Sequence, residues 1–173
     1  MGTRSAAGVA LVVGAVLATA GCGGDASAGD GDNGGGGNGK NRSAAAVEAA
    51  RAYQQAQLDH GWETACGAVT DRLLRKMGAD TIAECVDHMD MPRINDVSGV
   101  RLTMGRPVEL PAYGRHPAGI GLRVSFGPVG RGMYNHTAFR LVPGKRDTWL
   151  VDQAVNLADG TGTEAVREAL RRK

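Results

Sequence analysis

Four histidines are the side chains in this sequence best suited to move a proton near neutral pH. Three follow an acid or an amide directly, as Asp59-His60, Asp87-His88 and Asn135-His136. The fourth, His116, stands in a Pro- and Gly-rich stretch. Asp59-His60 falls at the end of a predicted helix, where a histidine completes the helix dipole more readily than it does chemistry. Asp87-His88 lies on the polar side of an apolar stripe and is expected to face solvent. His136 sits on a predicted strand and is expected to face the sheet interior. No carboxylate that would orient it is identifiable, and a lone histidine is weak evidence for a general base. No residue is therefore assigned a catalytic role. Asp59 and His136 are the two bases an enzyme reading would have to use.

Other chemistries find less support. There is no G-x-S-x-G elbow for a serine hydrolase and no H-E-x-x-H for zinc. Asp30-Gly31-Asp32-Asn33 begins like a calcium loop, but Gly34 takes the next ligand position and no glutamate closes it. The glycine run nearby has no preceding strand, so it is not a phosphate cradle. Neither a metal nor a cofactor is expected. The formal net charge of +2 over 173 residues gives no reason to expect nucleic-acid binding, which shows as a strongly basic domain.

The N-terminus carries an address. Met1–Arg4 is weakly basic, and the uncharged stretch AAGVALVVGAVLATA follows over residues 6–20. A short basic start and an apolar middle have the form of a secretory signal. The apolar part is shorter than the ~20 residues a membrane-spanning helix needs. It closes as Thr19-Ala20-Gly21-Cys22, which resembles the lipobox of bacterial lipoproteins, with Thr19 where that family usually has Leu. The resemblance implies a signal peptide over residues 1–21, diacylglycerol on the Cys22 sulfur, and a protein held by lipid on the outer face of the cell membrane. The plainer alternative is an ordinary secretory signal cut near Ala20, with Cys22 left as a thiol. Residues 23–43, GGDASAGDGDNGGGGNGKNRS, have no apolar side chain larger than alanine and read as a disordered tether.

One α+β domain is expected over residues 44–173, since domains commonly run to ~100–150 residues. Ser43 is placed to cap a helix in which Val47, Ala50, Tyr53, Gln54, Gln57 and Leu58 share a face. Shorter helices follow over about 62–69 and 70–77, with Gly78 as a C-terminal cap. Asp80 is read as the cap of a helix whose stripe is Ile82, Cys85, Val86 and Met89. Beyond Pro92 the period changes to two. Val100, Leu102 and Met104 alternate with polar residues, as do Ile120, Leu122, Val124 and Phe126, and then Thr137, Phe139 and Leu141. These are half-buried strands. Pro143–Arg146 is a turn, and Asp147–Val155 returns as a strand. Residues 107–118 read as a loop, and Thr163 as the cap of a short last helix. Short turns between strands imply an antiparallel sheet.

With Cys22 given to lipid, Cys66 and Cys85 remain. An even remainder in an oxidising compartment reads as a disulfide. A reduced core pair and a metal site are the rival readings; the metal site would need further ligands.

Helices first and then a curved antiparallel sheet resembles the NTF2-like (SnoaL-like) fold. The residues that carry the likeness are Ala52-Tyr53 to Gly61-Trp62, Thr64-Ala65-Cys66, Ala83-Glu84-Cys85 and Thr148-Trp149-Leu150-Val151-Asp152. The resemblance implies a cone-shaped pocket between helices and sheet. Two functions follow as expectations. One is a non-catalytic binding or interaction domain whose partner is a small apolar ligand or an envelope protein. The other is a small isomerase or cyclase working in that pocket.

Overall fold

The change from helical to strand period is where the chain changes layer. The computed structural model describes residues 36–90, 97–129, 131–157 and 162–171, all within a unit spanning Gly34–Lys173. The stretch read as a signal, Cys22 and the stretch read as a tether as far as residue 35 lie outside the described residues. Four helices come first: α1 (Gly36–Leu58), α2 (Trp62–Gly67), α3 (Asp71–Lys76) and α4 (Ile82–Met89). Five strands follow: β1 (Arg101–Met104), β2 (Val108–Leu110), β3 (Gly119–Val129), β4 (Met133–Pro143) and β5 (Trp149–Asn156). The helix α5 (Thr163–Ala169) comes last. The class is α+β with an open antiparallel sheet in the order β1-β3-β4-β5, and β2 also pairs with β3.

Period-two alternation gives the sheet two apolar faces. Ile120, Leu122, Val124, Phe139, Leu141 and Val151 form one, covered by α1–α4 through Ala46, Ala50, Tyr53, Ala65, Leu73, Leu74 and Cys85. Ala138, with Val108 and Leu110 of β2, lies in the other, covered by Val166, Ala169 and Leu170 at α5. Tyr53 meets Phe139 edge-on, with centroids 5.4 Å apart, a pairing worth about 1 kcal/mol beyond the buried area.

Cys66 and Cys85 are joined as a disulfide, with Cα atoms 6.0 Å apart and a sequence separation of 19. The bond ties α2 to α4 inside the core. Closing a loop of that length stabilises the fold by about 3 kcal/mol in the chain-entropy picture.

Several boundaries differ from the sequence reading. Helix α1 begins at Gly36, well before Ser43, and so takes in the end of the stretch read as tether. Once the alanine run nucleates a helix, each further residue adds a bond, and Arg42 gains a tertiary contact over the Trp149 ring at 5.9 Å. The cap of α4 is Thr81 and not Asp80: its side chain accepts from the Glu84 N–H, while Glu84 reaches back to the Asp80 N–H at 2.8 Å. Ile82 is 46% exposed, so only Cys85, Val86 and Met89 of the α4 stripe meet the core. The stretch 107–118 contains β2, which pairs with the start of β3. Its three residues are too few for alternation to stand out beside the neighbouring prolines.

Candidate functional site

Two of the recesses among the described residues bring polar side chains together against β5 and its neighbours. The first lies between the end of α1 and the sheet. It encloses about 500 Å³, walled by Tyr53, Trp62, Phe126 and Phe139, with Gln54, Gln57, Asn135 and Asn156 as amide groups. The α1 stripe positions Tyr53, Gln54 and Gln57, and strand alternation sends Asn135 and Thr137 of β4 into the same space. The Gln57 amide donates to the Tyr53 hydroxyl at 2.9 Å. Burial raises the Tyr53 pKa to about 12, partly offset by that hydrogen bond. Tyr53 therefore stays neutral at any physiological pH. Among the described residues, no carboxylate lines this recess.

The second recess holds the acid–base groups. Asp152 is nearly fully buried on β5. Its Oδ1 accepts from Thr70 Oγ1 at 3.0 Å, and its Oδ2 lies 3.0 Å from His116 Nδ1. Arg72 pairs with the same Oδ2, donates to the Asp152 carbonyl at 3.1 Å, and also contacts His116 Nδ1. The cleft around them encloses about 500 Å³ and is further lined by Lys76, Tyr113, Arg115 and Gln153.

Local structure explains each position. In the pairing of β4 with β5, Arg140 is opposite Gln153 and Leu141 is opposite Val151. Asp152 is thus the extra residue of a β-bulge, and a bulge re-aims the side chain it carries. Residues 68–70 run beside β5: Thr70 N–H donates to the Val151 carbonyl and Val151 N–H to the Ala68 carbonyl, both at 2.9 Å. Thr70 then caps α3, which places Arg72 over the carboxylate. The loop bearing His116 is closed by reciprocal 2.9 Å bonds between Tyr113 and His116, and Gly114 supplies the left-handed φ of +58° that this turn needs. Arg140, 1% exposed on β4, holds both flanks of the loop by donating to the carbonyls of Pro111 at 3.1 Å and Pro117 at 2.9 Å.

The electrostatics are one-sided. Burial first, then the positive charges of Arg72, Arg140 and Lys76, hold the His116 pKa down at about 4. His116 is neutral at pH 7 and only weakly basic. Burial likewise lowers the pKa of Arg72 and of Arg140.

Of the histidines and acids singled out from sequence, His116 lies in the second recess, His60 lines the first, and the others lie outside both. Asp59 is exposed and accepts from Gln55 Nε2 at 2.9 Å. His60 leaves α1 with φ 59° and stacks on Trp62 with centroids 5.2 Å apart. Asp87 and His88 are exposed on α4, as expected. His136 does not enter the first recess, because Asn135 and Thr137 take the inward positions. Its Nδ1 instead pairs with Ser125 Oγ at 2.8 Å on the opposite face. The Thr70–Arg72–His116–Asp152 cluster went unrecognised in the sequence. Its visible signals are His116 itself and a carboxylate, Asp152, in the middle of a predicted half-buried strand. Among protein families, curated proteins and solved structures, nothing matches the chain.

Proposed function

We propose that this chain is an exported lipoprotein, lipidated at Cys22 and held by a tether at the outer face of the cell membrane, whose folded part is a non-catalytic binding domain of the NTF2-like cone type. The ligand is a small neutral molecule with apolar faces. The observation that carries the reading is the first recess: aromatic walls, four amide groups among its polar positions and, among the described residues, no carboxylate lining it. Such a lining suits a neutral molecule that stacks on rings and exchanges hydrogen bonds with amides. The Cys66–Cys85 bond fits an oxidising compartment outside the cytoplasm.

The His116–Asp152 contact is the observation that favours the enzyme alternative. A histidine with a pKa of about 4 is a poor general base at neutral pH, which is why binding is preferred.

The test is a titration of the full chain with Nile red, a neutral apolar dye. Saturable enhancement of its emission is expected for the natural sequence. Asn156 is exposed at the end of β5 and lines the recess, so N156W plugs the space without entering the core and should abolish the enhancement. Equal enhancement in both proteins would overturn the reading.

A further inference from the structure

We propose that the cleft between α3, the 111–117 loop and β5 is a binding site for a small oxyanion of the phosphate or sulfate class, separate from the neutral-ligand recess and independent of it. The cleft is lined by Arg72, Lys76 and Arg115, with Arg140 buried behind the His116 loop. Among the described residues, Asp152 is the one carboxylate that lines it, and that carboxylate is taken up by Arg72, Thr70 and His116. Lys76 and Arg115 have no ion-pair partner among the described residues. Behind the His116 loop, Nε of buried Arg140 has no hydrogen-bond partner among the described residues. A guanidinium 1% exposed with no acid partner is costly in a low-dielectric interior. An anion in front of it offsets that cost, and low-dielectric walls strengthen the attraction.

A proton accompanies the anion. The charged groups that face His116 are Arg72 and Lys76 of α3, Arg140 of β4 and Asp152 of β5, with Arg115 in its own loop. The positive members of that set hold its pKa down at about 4. An anion among them cancels part of that field and raises it. By linkage, protonation of His116 then tightens the anion by the same factor. A rise of one pKa unit corresponds to tenfold tighter binding to the protonated form.

Sulfate is the probe for the test, because its charge does not change between pH 4 and 7. The full chain is titrated with sodium sulfate, with sodium chloride at matched ionic strength as the control. The C2–H resonance of His116 is followed by NMR as pH is varied, and binding is measured by calorimetry. The expected result is saturable sulfate binding, tighter at pH 5 than at pH 7, with the His116 pKa raised by about one unit. Lys76 and Arg115 are exposed, so K76Q/R115Q keeps the fold, and it should lose both effects. Inorganic phosphate and vesicles containing phosphatidylglycerol then separate a free anion from a lipid headgroup as the natural source. A His116 titration that moves equally in chloride and sulfate, or that moves unchanged in K76Q/R115Q, would overturn the proposal.

Discussion

His116 Nδ1 lies 3.0 Å from Oδ2 of Asp152, and Asp152 is the residue that the pairing of β4 with β5 leaves over. A bulge in one strand and a proline-flanked loop 36 residues earlier in the chain thus meet at a single hydrogen bond. The loop is fixed by Arg140 and the carboxylate by Thr70 and Arg72, so the contact joins two independently held parts.

The first consequence concerns acid stability. The His116 pKa falls from 6.5 to about 4 on folding. Between those values the unfolded chain binds more protons than the folded one, so stability drops as pH falls through that window. The His116 side chain is 22% exposed, and the loss on going from pH 7 to pH 5 is on the order of 1–2 kcal/mol. Urea unfolding at the two pH values should show a smaller drop for H116Q than for the natural sequence. Equal drops would mean that His116 titrates normally.

Removing the carboxylate should be more damaging. D152A leaves the Arg72 guanidinium beside an empty, buried position and releases Thr70 and His116 together. Losing one partner of a buried pair costs about 3–5 kcal/mol. Arg72 keeps some solvent contact, with 27% side-chain exposure, so the low end of that range is expected. The double variant R72M/D152A should lose less than the two single variants added together, because their effects share one interaction.

Reduction of the Cys66–Cys85 bond, or C66A/C85A, should lower stability by about 3 kcal/mol. Thermal unfolding with and without reductant measures this directly. A Cys22→Ser protein should show the same shift, since Cys22 takes no part in that bond.

Gly119 opens β3 opposite Leu110 of β2, and a Cβ there would stand 2.1 Å from the Leu141 carbonyl oxygen. Backbone cannot swing aside as a side chain does. G119A should therefore cost more than 2 kcal/mol, near the upper part of the range for overpacking. Gly67 has open space around it, so G67A serves as the neutral comparison.

The sequence was most legible where a side chain answers to a long repeating pattern. The strands around Leu122, Phe139 and Val151 and the buried Cys85 follow from apolar period. So does the placement of Tyr53 and Gln54 on the inner face of α1. What escaped depends on irregularity. Three-residue β2 is too short to have a period. Thr81 and Asp80 are both good caps, and only geometry chooses between them. A bulge changes the face of Asp152 in a way no alternation rule encodes, and the inner face expected for His136 belongs to its neighbours Asn135 and Thr137. Arg140 falls on the polar side of the strand alternation, and that alternation does not show that this side is buried as well. Its function in holding the His116 loop needs Pro111 and Pro117 in three dimensions.

The most direct test of the binding reading is mass spectrometry of the full chain exported into an oxidising compartment and purified without added ligand. Native and denaturing spectra are compared for the natural sequence and for N156W. A reproducible extra mass that survives native conditions, disappears on denaturation and is missing from N156W is expected of a domain that carries a neutral molecule against Tyr53, Trp62 and Phe139. A bare mass in both proteins, or an extra mass that N156W retains, would contradict it.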